Sequence, residues 1–168
     1  MFRRRNNRKG ELGTTVVEFA IGGMIFFTVV FGVIEFGRLL WTHNALVDAT
    51  RRGARYAVIN KNTGTVVTSA GNVSVINAIK NVTVYNDPAG AASGKNPLVS
   101  GLTTNKVIVT HYGSGIYAYG SNLGSAEVKI TGYTFNFVVG LVGTYVNLPE
   151  YKTSLPAECA GYVPDNLP

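Results

Sequence analysis

From Phe19 to Ile34 the chain runs sixteen residues without a charge, FAIGGMIFFTVVFGVI, bounded by Glu18 and Glu35. Counting back to Thr14 gives about twenty-one residues, and a helix of that length reaches about 30 Å, enough to cross the hydrocarbon core of a bilayer. A chain of 168 residues can hardly bury a helix that is apolar on all sides, so lipid or a multi-subunit core has to cover it. A secretory signal that is cut away is the competing reading. The run is long for that, and no A-x-A-like site follows it directly; the nearest tolerable one, Val47-Asp48-Ala49, lies far downstream.

Charge is distributed to match. The net charge is +6, but Arg3, Arg4, Arg5, Arg8 and Lys9 crowd the first nine residues. Beyond residue 13, ten Lys/Arg face eight Asp/Glu, dispersed except for Arg51, Arg52 and Arg55. A basic face for nucleic acid is therefore not expected. A positive head before an apolar run marks a segment whose N-terminus stays in the cytoplasm.

The helical signal continues past Glu35. Phe36, Leu40, His43, Val47, Thr50, Ala54 and Ala57 recur at spacings of three and four, a mostly apolar stripe. Asp48 has Arg52 four residues on, a spacing that supports a helix. No proline occurs before residue 88, and Asn60 and Gly64 are the first stop signals. The spacing predicts one helix from about Thr14 to about Val58, its second half laid against the chain's own globular part. Glu35 and Arg38, three apart at the end of the apolar run, read as an ion pair at the membrane exit, with a contact to a partner subunit as the alternative.

After Asn60 the composition turns to Gly, Asn, Ser, Thr and Val. Residues 72–82, NVSVINAIKNV, fit a short helix with Val73, Ile76 and Ile79 on one face, or a strand; the helix is preferred. Residues 86–97 read as a loop by their Pro and Gly content. Lys106 to Tyr112 is β-branched and reads as a strand. Glu127 to Phe137 alternates on both sides of a phase change at Gly132, which predicts a bulge there. The Gly-rich stretch 113–125 joins these two strands, and an antiparallel sheet packed on the 36–57 helix face follows. Residues 137–148, FVVGLVGTYVNL, are too short to span a bilayer. They fit a core strand or short packed helix, or else a surface that docks on partners or membrane. The sequon-like Asn72-Val73-Ser74 and Asn81-Val82-Thr83 read as accidental.

Catalytic and metal chemistry find little support. The single cysteine, Cys159, rules out an internal disulfide and reads as a free thiol rather than an intersubunit bridge. His43 and His111 stand alone, without metal-ligand spacing. No Gly-x-Ser-x-Gly or phosphate-cradling loop occurs. After residue 60 the acids Asp87, Glu127, Glu150, Glu158 and Asp165 are too scattered to nominate a pair. The expectation is no enzyme, no cofactor and no small-molecule substrate.

Gly13, four residues, Glu18 and then a long apolar helix resemble the type IV prepilin signature. The further segments GTTVVEFAI, GVIEFGRLL and ALVDATRRGARYAV are similar to the TadE-like pseudopilins of the tight-adherence (Flp) pilus machinery, closely over residues 10–58 and loosely beyond. The resemblance implies an α+β fold of the type IV pilin kind: a long N-terminal transmembrane and amphipathic helix packed on a small antiparallel β-sheet. It implies a leader, residues 1–13, cut by a prepilin peptidase between Gly13 and Thr14. Residues 14–35 form the transmembrane half of the helix, 36–58 the amphipathic half and 59–168 the β-rich domain outside the membrane. Glu18 then becomes the fifth residue of the mature chain and is expected to help set the register of subunits through the new amine at Thr14, the alternative being a carboxylate at the headgroup level without a partner. The implied partners are the peptidase, other pilin or pseudopilin subunits, the platform proteins of the pilus machine and membrane lipid. The implied location is the bacterial inner membrane, single-pass, with the extracellular pilus as a further one. Major Flp pilins are far shorter, so the length favours a minor pseudopilin. A membrane-anchored periplasmic binding or adhesion module, using tyrosines such as Tyr112, Tyr117 and Tyr119, is the alternative.

Overall fold

A computed structural model of the chain describes residues 8–60, 64–112, 125–139 and 144–156. The first helix, α1, spans Arg8–Ile59, about 78 Å at 1.5 Å per residue. It begins six residues before the expected Thr14, because Arg, Lys, Glu and Leu of the leader are good helix formers that continue the same hydrogen-bond ladder. Asn60 ends it, donating its side-chain amide to Tyr56 O at 2.8 Å. Gly64 follows with φ +106°, which permits the turn into the first strand.

A hairpin comes next, β1 (Thr65–Thr68) and β2 (Gly71–Ser74), and then α2 (Val75–Tyr85). The segment 72–82 is thus divided: Val73 lies in a strand, and the helix starts after Ser74, whose Oγ accepts from Asn77 N at 3.4 Å. The buried face of α2 is Val75, Ala78, Ile79, Val82 and Thr83, the spacing of an amphipathic helix. Asn86 closes it in the left-handed conformation. The loop 86–97 contains one 3-10 turn, Gly90–Ser93.

Three antiparallel strands form the sheet: β3 (Val107–Tyr112), β4 (Ser125–Ile130) and β7 (Tyr151–Pro156), with β4 central. Val107, Ala126, Val128, Ile130 and Tyr151 are buried; α1 covers β4 and β7, and α2 covers β3. The layers meet through Thr50 Oγ1 and Thr153 Oγ1 at 2.9 Å, His43 Nδ1 and Tyr151 Oη at 2.8 Å, and His111 Nε2 and Ala57 O at 3.1 Å. The layout is α+β, a long apolar helix with small antiparallel sheets.

Three expectations need correcting. Gly132 is not a bulge. With φ +64° it ends the pairing of β4, and the chain leaves the sheet to form a separate ribbon of β5 (Thr134–Asn136) and β6 (Tyr145–Asn147). Val128, Ile130, Tyr133 and Phe135 are all buried nonetheless, so a change of sheet does what an extra residue was expected to do. Nor is the segment 137–148 a core strand or packed helix throughout: among its described residues Val138 is 78% and Tyr145 61% exposed, while Phe137 and Leu148 at its ends pack against the core, and residues 140–143 lie outside the described residues. The buried stripe of α1 is Glu35, Thr42, Leu46, Ala49, Thr50, Gly53, Ala54, Ala57 and Val58. The predicted stripe matches it from Thr50 onward, with Val47 half-buried, but Phe36 and Leu40 face outward at 59% and 47% exposed and His43 is exposed as well. Phe36, His43, Thr50 and Ala57 are spaced by sevens, and a straight helix drifts about 20° per heptad relative to such a repeat. Three heptads back from Ala57, the sheet side of the helix has passed to Glu35. The strand connection 113–124 and Tyr117, Tyr119 and Cys159 lie outside the described residues.

Candidate functional site

Two regions of α1 stand out. The first is its exposed apolar half. From Gly13 to Ile34 no residue is buried, and Phe19 is 81% exposed. By length and composition this is a helix able to cross a membrane, with an 18-residue window of mean hydropathy 2.2. Gly13 and Thr14 lie within the helix, and a Cβ at Gly13 would meet nothing within 4 Å. Glu18 follows Thr14 by four positions and so shares its face; its side chain is exposed.

The second region lies where that half ends. Glu35 is 3% exposed, buried because the β5–β6 ribbon closes over it. Its Oε1 accepts from Arg38 Nη1 at 3.2 Å, Val138 N at 3.1 Å and Val139 N at 3.3 Å. Its Oε2 is buried with no hydrogen-bond partner among the described residues. Arg38 also donates from Nη2 to Asn136 O, and its guanidinium lies 4.5 Å from the centre of the Phe135 ring. That ring meets Phe137 edge to face at 5.3 Å. Glu35 and Arg38 together fasten residues 135–139 to the helix, the carboxylate satisfying two successive backbone N–H groups. Sequence spacing could suggest the pair. It carried no sign of Asn136, Val138 and Val139, about a hundred residues away.

Elsewhere the polar contacts are structural. Asp48 pairs with Arg51 at 3.8 Å, not with Arg52 as the spacing suggested; Arg52 is half-buried, and its Nε has no hydrogen-bond partner among the described residues. A shallow groove of about 270 Å³ beside it is lined by Trp41, Asn44, Ala45, Asp48, Arg52 and Leu98, below the usual size of a small-molecule site. On the sheet, Glu127 accepts from Ser154 Oγ at 3.0 Å and faces Lys152 and Lys129, and Lys129 reaches Glu150 at 2.6 Å. That ladder raises the Lys129 pKa, chiefly through its hydrogen bond to Glu150. Among the described residues, no three His, Cys, Asp or Glu side chains gather as a metal site.

Residues 13–55 match a family model described as TadE, TadE-like protein. No curated protein and no solved structure matches the chain. The match begins at Gly13, crosses the exposed apolar half and the Glu35–Arg38 clasp, and ends four residues before α1 does. It relates the chain to the tight-adherence pilus system, whose TadE-like components are structural rather than catalytic.

Proposed function

We propose that the chain is a minor pseudopilin of a tight-adherence pilus, a structural subunit that anchors in the membrane through residues 14–35 and carries its folded domain outside. The observation that carries this reading is one uninterrupted helix, apolar and uncovered over Gly13–Ile34 and packed on a sheet over its last third, coinciding with the TadE-like match. The basic head, Arg3 to Lys9, holds the N-terminus in the cytoplasm.

A prepilin peptidase cuts after Gly13, where glycine lowers the cost of unwinding the helix around the scissile bond. The new α-amine at Thr14 is a cation at neutral pH. In an apolar assembly that amine and the Glu18 carboxylate are each costly alone, and pairing offsets much of that cost. The helix dipole also favours a carboxylate at Glu18, near the N-terminus of the shortened helix. Glu18 thereby sets the axial position at which subunits dock. The other pilus subunits and the platform proteins are the partners.

N-terminal sequencing of the mature protein from cells with and without the peptidase tests the reading. Thr14 as first residue, only where the peptidase is present, supports it. An intact arginine-rich head in both cell types refutes it in favour of a membrane-anchored binding or adhesion module. Replacing Glu18 with Ala should leave cleavage intact and abolish incorporation into the pilus complex; normal incorporation removes the register role.

A further inference from the structure

Glu35 and Arg38 hold residues of the β5–β6 ribbon against α1. Open ribbon edges are not satisfied in lipid, so the hydrocarbon ends below Glu35. Thr14 to Ile34 already covers about 30 Å. The apolar surface of α1 nevertheless continues through Phe36, Leu40 and Trp41, all exposed, and Trp41 lies about 9 Å beyond Glu35 along the axis. Lipid tails do not reach this patch. Nor does the chain's own domain: Asn44 stands about 200° around the helix from Leu46, which is fully buried in the domain core. The patch belongs to a line along the outward side of α1. Phe26, Val30, Val33, Gly37, Leu40 and Asn44 follow one another at spacings that alternate between four and three, the pattern of a coiled-coil seam. A Cβ on Gly37 would meet nothing within 4 Å, so the backbone itself is open to a close neighbour.

We infer that two copies of the chain pair along this line, parallel and in register, with Phe36 of each packed on Trp41 of the other. Copies anchored in one membrane with their basic heads on the same side stand parallel and at equal depth, so each residue of the line meets its own equivalent. Two helices keep a seven-residue repeat in contact by winding about each other, which a helix on a sheet does not do. Phe36 and Trp41 flank the line on opposite sides. Their separation of five residues is that of the flanking positions that meet across a parallel pair. Trp41 also borders the groove lined by Ala45 and Leu98, which gives the Phe36 ring of the second copy an apolar seat. Asn44 ends the seam with a group able to hydrogen-bond to its own copy, the kind of residue that fixes register. Above it, Asp48 and Arg51 are paired with each other at 3.8 Å and bring no net charge to the approach. Both domains lie on the far sides of their helices, clear of the contact. The pairing rests on the reading that residues 14–34 span the membrane.

The test uses the full chain with its only cysteine removed, Cys159→Ser, and single reporters Leu40→Cys, Asn44→Cys, His43→Cys or Val67→Cys, all at exposed positions. His43 stands about 100° around the helix from Asn44, and Val67 sits on the β1–β2 hairpin. Bacterial membranes carrying each protein are treated with copper–phenanthroline, and disulfide dimers are read on non-reducing gels. The Leu40 and Asn44 reporters should crosslink about ten times faster than the other two, because facing seam positions bring Cα atoms within disulfide range. Phe36→Asp should slow the Leu40 reporter about tenfold by setting an unpaired charge against the second copy's indole; an unchanged rate overturns the Phe36–Trp41 packing. Equal rates at all four positions mean random collision and refute the seam. Absence of dimer at Leu40 and Asn44, in a chain that still resists alkaline carbonate extraction, leaves the span standing and refutes the pairing. Adducts to a protein of another mass assign this face to a different subunit and overturn the pairing as well. Release of the chain by carbonate overturns the membrane span itself, and the pairing with it.

Discussion

Among the described glycines, the one with least room for a side chain predicts a variant whose effect changes sign with its background. Gly53 lies where α1 crosses α2 and β4. A Cβ built on it stands 2.1 Å from Thr83 Oγ1, 3.1 Å from Val128 Cγ1 and 3.3 Å from Thr83 Cβ. Thr83 is fully buried, and its hydroxyl donates to Ile79 O at 2.8 Å, so it cannot turn aside without losing that bond. Overpacking of this kind costs about 1–3 kcal/mol, and the displaced hydroxyl about 1 kcal/mol more. Alanine returns about 1 kcal/mol as the better helix former. Gly53→Ala should therefore destabilise by about 1–3 kcal/mol, a fall in Tm of about 4–8 °C for each kcal/mol in a domain of about 100 residues. In a Thr83→Ala background the obstructing oxygen is gone and only the two longer contacts remain. There the same change should be neutral or stabilising, since it fills space that Thr83→Ala opens. Thermal unfolding of the full chain in detergent micelles, followed by near-ultraviolet circular dichroism, reads the four proteins of the cycle. A Gly53→Ala protein as stable as its parent, or an equal loss in both backgrounds, would refute the packing argument.

Other consequences follow from single groups. Glu35→Ala leaves Arg38, Val138 N and Val139 N without their shared acceptor, a loss of about 1–3 kcal/mol; amide exchange at Val138 and Val139 should accelerate, and unchanged protection would sink the clasp. Asp87 has its pKa lowered, first by the hydrogen bond from Lys95 and next by that from Ala89 N. A depressed folded value means that its contribution is present above the ordinary carboxylate range and lost as pH falls through the depressed value. Asp87→Asn should accordingly flatten the acid limb of stability against pH, and parallel profiles would count against this. Tyr133 and Tyr151 have raised pKa values because burial disfavours the phenolate, with Arg38 partly opposing this at Tyr133. Their contribution is whole below a pH of about 10 and lost as pH rises through the folded values. Tyr151→Phe should remove one late-titrating phenolate from the alkaline absorbance curve; a curve identical to the parent's would contradict its burial.

What the sequence by itself determined is whatever depends on neighbours along the chain. Sixteen uncharged residues dictate a helix that needs lipid or other subunits around it, since no fold of this length could enclose them. The absence of proline and the recurrence of Thr50, Ala54 and Ala57 carry that helix on into the domain. The β-branched run before Tyr112 and the alternation from Glu127 yield β3 and β4, because strand preference is expressed within a few residues. Glu35 and Arg38 were legible as a pair for the same reason. The tertiary structure decided what depends on residues far apart. It turned Glu35 inward by bringing Val138 and Val139 to it, two backbone donors that no side-chain pattern encodes. It rotated the buried stripe away from Phe36 and Leu40, since a straight helix does not keep a seven-residue repeat on one side. At Gly132 it sent the chain into a second ribbon instead of a bulge: a phase change in polarity records which side chains are covered, not which strand covers them.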